Sequence, residues 1–511
     1  MAPTQKHIAI VGGGTAGWLA ALMLQKAAQA SDGLRISVIE SPDIPTVGVG
    51  EGSTSVFRQV LLDLGIDEVE FLRATGATLK FGIKHAGWRK DGKDYFGPID
   101  DPNALAPPPG GAPSNWLHHA QIAAGKRVAD THLFTALMRG NKSAYARKDG
   151  KLIPLSPYHH AYHFDQARLG RFLASKATGI DHIQTEVAAL LRDPASGDIT
   201  ALQCSGDRQI DVDFVIDCTG FRRAIIGQMG AEWKSYGAML PLNKAIPFWL
   251  DHDPKADIAP YTLARAMDAG WMWGIPVHDR MGCGYVFSDA HINADQAKDE
   301  LETRLRRPVE IRRQIDIDPG RLDQSWIGNC VAVGLAQSFL EPLEATSIHG
   351  TLVQMLLLLR ATPTQLAAGP LPTERAAFNQ TVAGQVDDFA DFINIHYAGG
   401  RRDTPFWADM TEGGITARQR DRIAAWQHTP LSRNSFTPLP GGLPHVEEQL
   451  YTPVLGGLGL LGKDASARAV GSPGLKKQAR SALAQLHQDF TGAARKAIRH
   501  RTFLASLAAR D

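Results

Sequence analysis

Short apolar runs closed by glycine punctuate the first two thirds of the chain, and helical periodicity takes over the last third. Ile8 to Val11 runs into Gly12-Gly13-Gly14-Thr15-Ala16-Gly17 and then a helix-forming stretch from Trp18 to Ala30, which predicts strand, tight turn and helix. Arg35 to Glu40 supplies the next strand. Asp213 to Ile216 leads into Asp217-Cys218-Thr219-Gly220-Phe221-Arg222, and Cys330 to Val333 into Gly334-Leu335-Ala336. Both place glycine directly after a buried strand, so the nucleotide-binding unit is expected to be assembled from distant segments. From Gly350 the pattern predicts helix through Leu352 to Leu359 and Glu374 to Tyr397, a Pro/Gly-rich break around Thr437 to Pro453, and a basic amphipathic helix from Gly474. Residues 101–115, with Pro107, Pro108, Pro109, Gly110 and Gly111, read as an exposed loop or mobile lid.

At 511 residues the chain exceeds what one core supports, which implies two packed subdomains or one α/β unit with a helical addition. Lys plus Arg total 54 against 53 Asp plus Glu, so no global field draws in nucleic acid or an anionic membrane, and a small-molecule partner is expected. The cysteines, Cys204, Cys218, Cys283 and Cys330, have no metal-type spacing and read as buried thiols of a cytoplasmic protein. Val454 to Gly462, the longest glycine-diluted apolar run, is too short to span a bilayer. His159, His160 and His163 form a tract without a carboxylate or cysteine to complete a metal site, and a packed, hydrogen-bonded strand is expected there instead.

Gly12, Gly14 and Gly17 permit a sharp turn, close approach of a pyrophosphate and close helix packing, with the amides around Thr15 and Ala16 facing the anion. Glu40 ends the second strand, where a carboxylate binds a ribose hydroxyl. One such fingerprint occurs, with late strands ending in Asp-Cys-Thr-Gly and Val-Gly-Leu-Ala, as in flavin monooxygenase-like folds. This favours FAD over NAD.

Gly270-Trp271-Met272-Trp273-Gly274-Ile275-Pro276 resembles the GWxWxIP signature of the flavin-dependent tryptophan halogenases. On an extended segment Trp271 and Trp273 project to one face, and Pro276 stiffens the end of that segment. Further matches run collinearly: Gly12 to Trp18, Val47 to Glu51, Thr78 to Trp88, Tyr162 to Asp165, Asp217 to Arg222, Gly284 to Ser288, Phe339 to Ile348, His396-Tyr397 and Arg402 to Trp407. The resemblance implies an α/β fold, a GR2-type Rossmann unit with a mixed sheet fused to a mainly helical substrate-binding part. The FAD-binding part is expected over 1–360, with substrate-side insertions at about 80–160 and 225–300, and the helical part over 361–511.

In chemical terms the resemblance implies an enzyme that uses FADH2, O2 and chloride or bromide to make hypohalous acid. A separate NADH-dependent flavin reductase would supply the FADH2, and the assembly would be a homodimer. Lys80 falls at the catalytic lysine and Glu344 at the catalytic glutamate, with Glu341 the competing carboxylate. Thr346 and Ser347, opening a helix, would hold the halide; the family has glycine where Ser347 stands. Gly50, within the strap Gly48 to Ser53, together with Val187, Leu335 and Ile348, would contact FAD, while Trp271, Trp273 and Pro276 would keep substrate from it. Gly97 and Ile99 stand where tryptophan-acting members carry His and Phe, and Glu447, Glu448 and Tyr451 match an amino-acid clamp by location only. An indole or another electron-rich aromatic is therefore as good a substrate as free tryptophan. Two alternatives share the fold: a flavin monooxygenase that hydroxylates an aromatic, and a non-catalytic flavin-binding relative.

Overall fold

The computed structural model describes residues 5–28, 33–43, 48, 50–155, 159–369 and 371–508. Of the expected features, Gln29, Ala30, Val47, Val49, Pro157 and Tyr158 lie outside the described residues. A six-stranded sheet runs in the order Asp181–Gln184, Leu34–Glu40, Lys6–Val11, Phe214–Asp217, Cys330–Ala332 and Trp326–Ile327, parallel except at the last pair. Ile8, Ala9 and Ile10 are fully buried, as a parallel strand covered on both faces requires. Thr15–Ala28 is the helix after the glycine turn, burying Gly17 through Leu24. A Cβ on Gly17 would meet the Gly12 carbonyl oxygen at 1.9 Å, so strand and helix pack closer than any side chain allows.

The second layer is a seven-stranded sheet in the order Ile315–Asp316, Lys244–Asp251, Arg280–Phe287, Gly270–Pro276, Thr262–Met267, Gly82–Ala86 and Tyr95–Pro98. Its one parallel pair joins Thr262–Met267 to Gly82–Ala86, and the other pairs are antiparallel. The Gly-Trp-x-Trp strand is buried along its whole length. Trp273 fits because its cross-strand partner is Gly284, where an added Cβ would meet the indole at 2.1 Å. A three-stranded sheet, Glu51–Gly52, Ala161–Phe164 and Thr78–Lys80, is small but sets the site.

After Thr346–Leu358 the chain is mainly helical, with long helices at Pro372–His396 and Pro473–Lys496. Two sequence expectations need correction. The Pro/Gly-rich stretch does not stay irregular to Pro453: Glu448–Leu458 is a helix with Pro453 inside it, its apolar face buried against the core. Residues 101–115 are no free flap: Pro102, Asn103 and Asn115 are buried, and Asn115 Nδ2 donates to the Leu431 carbonyl at 2.9 Å. Ser114 Oγ donates to Glu448 at 2.5 Å, which pins the loop to the helical part. The four cysteines are free and buried. Among the described residues no helix is long and apolar enough to cross a membrane.

Gly284→Ala is expected to lower stability by about 1–3 kcal/mol, because the added methyl must push against a fully packed indole. A urea-unfolding midpoint that does not move would show that Trp273 has room elsewhere.

Candidate active site

A cavity of about 500 Å³ starts at the glycine turn and ends against the Trp-x-Trp strand. Gly12, Gly14, Thr15, Ala16, Glu40, Gly50, Val187, Leu335, Ile348, Thr346, Ser347, Lys80, Glu344, Trp271 and Trp273 all line it. Gly17 lies beneath, packed on Gly12, and Pro276 is outside the lining. The Pro276 carbonyl accepts from Thr78 Oγ1 at 2.6 Å, so this residue braces the Lys80 strand rather than walling the cavity.

The outer end fits a dinucleotide. Gly12 has φ +113, and a Cβ there would strike the Cys218 carbonyl oxygen at 2.3 Å, while nothing lies within 4 Å of one built on Gly14. The backbone is thus tight against the next strand yet bare toward the cavity, beside the helix N-terminus that favours an anion. Glu40 lies against Gly13 at the strand end, and its Oε2 is 2.9 Å from His182 Nε2. The residues present suit the pyrophosphate and ribose of FAD.

The inner end carries the titratable groups. Lys80 is 2% exposed, and its Nζ donates to the Ser53 carbonyl at 2.9 Å, over Gly52, whose missing side chain leaves the amine its space. Burial lowers its pKa to about 8, against the upward pull of Glu344 and Glu51. Lys84, by contrast, pairs with Asp94 at 2.9 Å nearer the surface. Glu51 takes the Gln166 amide at 2.5 Å, and burial raises it to about 7, against Gln166 and Lys80.

Glu344 and Ala345 both take left-handed backbone, at φ 67 and 55, immediately before the helix Thr346–Leu358. This helix begins without a side-chain cap, so its first amides stay available to an anion, an arrangement that suits a halide. Ser347 sits inside that helix with no positive φ, so serine in place of glycine costs the turn nothing. The Glu344 carboxylate oxygen is 3.1 Å from His396 Nε2 and 3.5 Å from His85 Nε2. Burial works to raise Glu344, yet the two imidazoles hold it well below the usual carboxylate range. Burial lowers His85 to about 4. Glu341, three residues earlier, leaves the cavity: its Oε2 accepts from Trp271 Nε1 at 3.2 Å and Tyr397 OH at 2.5 Å, and burial raises it to about 7.

The other candidates lie elsewhere. His160 Nε2 is 2.7 Å from Glu68, and His163 Nε2 is 2.9 Å from Thr262 Oγ1, as expected of a packed strand. Gly97, Ile99, Glu447, Glu448 and Tyr451 do not line the cavity. Tyr451 is buried under the Arg422 guanidinium, 5.1 Å above its ring. Sequence reasoning missed His85 and Glu51 as site residues and quoted His396 only as part of a motif. The signal available was that each falls inside a collinear match.

A dinucleotide cradle that runs to a buried amine and a nearly buried carboxylate defines the site of a cofactor-dependent enzyme. The family profile described as tryptophan halogenase matches residues 7–467. The tryptophan 6-halogenase SttH of Streptomyces toxytricini is 31% identical over 508 residues, covering 91% of this chain and 92% of its own. The tryptophan 7-halogenase RebH of Lentzea aerocolonigenes is 32% identical, covering 81% of each. Among solved structures, BrvH, a flavin-dependent halogenase from Brevundimonas sp. BAL3, superposes with a TM-score of 0.85 at 29% identity over 99% of both chains. The chain belongs to the tryptophan halogenase family and is a flavin-dependent halogenase.

Glu341→Leu is expected to destabilise the fold, since each buried donor left unpaired, the Trp271 N–H and the Tyr397 O–H, costs about 1–3 kcal/mol. Glu341→Gln keeps a carbonyl for them and should unfold near the parent's urea midpoint. Equal loss in both variants would mean that the charge of Glu341, rather than its acceptor, holds the strand.

Proposed function

We propose that this enzyme places chlorine or bromine on an indole-type or other electron-rich aromatic, with Lys80 delivering the halogen and Glu344 acting as the base. The observation that carries the reading is that Lys80, buried, and Glu344, nearly so, both line the inner end of the dinucleotide cavity. Bound FAD in its reduced form supplies, with O2 and a halide, the oxidising power that makes hypohalous acid. Gly12, Gly14, Thr15 and Ala16 hold its pyrophosphate, with Gly17 beneath them letting the helix pack close, Glu40 a ribose, and Gly50, Val187, Leu335 and Ile348 its remaining surface. The amides of Thr346 and Ser347 hold the halide, while Trp271 and Trp273 separate this chamber from substrate.

A neutral Lys80 amine attacks the halogen of hypohalous acid: the N–X bond forms, the O–X bond breaks, and water leaves with the displaced proton. The ring carbon then takes the halogen from nitrogen, the N–X bond breaks with its electron pair staying on nitrogen, and the ring proton, accepted by Glu344, is passed on to that nitrogen to restore the Lys80 amine. Confinement is needed because free hypohalous acid oxidises methionine and cysteine. Tryptophan is the substrate named for the tryptophan 6- and 7-halogenase relatives. Here Gly97 and Ile99 stand in place of the His and Phe of the tryptophan-acting members, which makes an indole or another electron-rich aromatic as good a substrate as tryptophan. One cradle serves one dinucleotide, so a separate NADH-dependent reductase delivers the FADH2.

The test supplies reduced FAD, O2 and bromide to the purified enzyme with indole, tryptophan and phenols, and reads product mass. Lys80→Ala should abolish halogenated product while FADH2 oxidation continues, and Glu344→Gln should slow halogenation by about 10²–10⁴-fold. Product that persists in Lys80→Ala removes the lysine from the mechanism, and a mass gain of hydroxyl replaces the reading with hydroxylation. Because the reacting form of Lys80 is the neutral one and its pKa is about 8, the chemical step should quicken about tenfold per pH unit below that value and level above it. A flat profile over that range would show that Lys80 only hydrogen-bonds the oxidant.

A further inference from the structure

His85 is fully buried with both ring nitrogens lacking a hydrogen-bond partner, a condition that calls for a missing ligand. One ring nitrogen of His85, one of His396 and a Glu344 carboxylate oxygen all lie within 4.8 Å of one another. His396 Nδ1 is fixed at 2.7 Å from the Phe392 carbonyl, where it must be the donor. In the neutral ring Nε2 is then a bare lone pair, 3.1 Å from a carboxylate oxygen. Lone pair facing anion is repulsive; a proton or a cation between them removes the repulsion.

From this geometry we propose that His85, Glu344 and His396 form a binding site for a divalent transition cation, for which zinc is the matching probe. Ligands at the usual zinc distances in a tetrahedron stand about 3.4 Å apart. The two histidine-to-Glu344 spacings, 3.1 and 3.5 Å, bracket that value. The Phe392 carbonyl behind His396 is the outer contact that orients a ligating imidazole, and Tyr95, stacked on His85 at 4.4 Å and 7°, fixes the other ring. Two imidazoles and one carboxylate leave a fourth position open, as in a site that exchanges ligands. The cation would occupy Glu344, so filling the site stops halogenation; that consequence rests on the role proposed for Glu344, whereas the site itself rests on geometry.

The experiment titrates zinc into the untagged, chelator-washed full chain against a chromophoric chelator, and measures FAD binding in parallel. One equivalent should bind, and His85→Gln and His396→Gln should each weaken it by at least about a hundredfold while retaining FAD. Absence of stoichiometric binding, or binding that survives both substitutions, overturns the site and leaves a shared proton as its occupant. With FADH2 supplied directly, zinc should halt product formation and a chelator restore it. Zinc that binds through these histidines without slowing halogenation upholds the site and removes Glu344 from the chemistry.

Discussion

An amine enclosed by protein must be met by acceptors and negative charge or give up its proton, and the architecture around Lys80 does some of each. The carbonyl of Ser53 takes one hydrogen, and Glu344 and Glu51 oppose the drop in pKa that burial imposes, leaving it about 8. All three groups are distant from Lys80 in sequence and meet it only through the fold. The three-stranded sheet brings the residues 51–52 strand and the Lys80 strand to opposite edges of Ala161–Phe164, so the lysine reaches across to the strap. Gly52 is bare where it arrives: a Cβ there would stand 3.1 Å from Nζ.

Glu344 is held by the opposite strategy. Two consecutive non-glycine residues in left-handed backbone cost energy, and such strain persists only where packing fixes it. The packing comes from Thr346–Leu358, whose Ile348, Leu352 and Val353 are locked into the large core, and from His349, which contacts Thr54 Oγ1 at 3.2 Å. The turn gives two results at once: it aims the Glu344 carboxylate at two histidines, and it starts a helix with its amides uncapped. The carboxylate proposed as base and the amides proposed to hold the halide are therefore neighbours because one strained turn makes both.

Much of this was legible in the sequence. Glycine spacing placed the cradle, because a turn that tight admits few residues, and alternation placed Trp271 and Trp273 on one face of a strand. What escaped were contacts between segments far apart: Glu51 with Lys80, and His85 and His396 with Glu344, separated by 259 and 52 residues. Periodicity reports which face a residue occupies, never which distant side chain meets it. The Pro-rich stretches misled for a related reason. Residues 101–115 carry turn formers, but anchoring is decided by tertiary partners such as Leu431 and Glu448, which no local pattern reveals. Pro453 likewise sits within a helix because the buried face of Glu448–Leu458 outweighs one lost backbone hydrogen bond.

Glu341 and Glu344 show how little residue type decides. Glu341 is buried and Glu344 nearly so on one short turn, and loss of solvent alone pushes each toward the neutral acid. Glu341 meets an indole and a phenol, donors without formal charge, so burial prevails and its pKa rises to about 7. Glu344 meets two imidazoles, which can answer charge with charge, so the carboxylate form prevails. Opposite environments thus separate two like groups into a structural acceptor and a carboxylate held ionised, which suits the base role proposed for Glu344. In the role proposed for it, Lys80 must lose its proton to react and so could not be the permanent counter-ion of Glu344. His396, its Nδ1 anchored 2.7 Å from the Phe392 carbonyl on its own helix, stays 3.1 Å from the Glu344 carboxylate independently of the lysine.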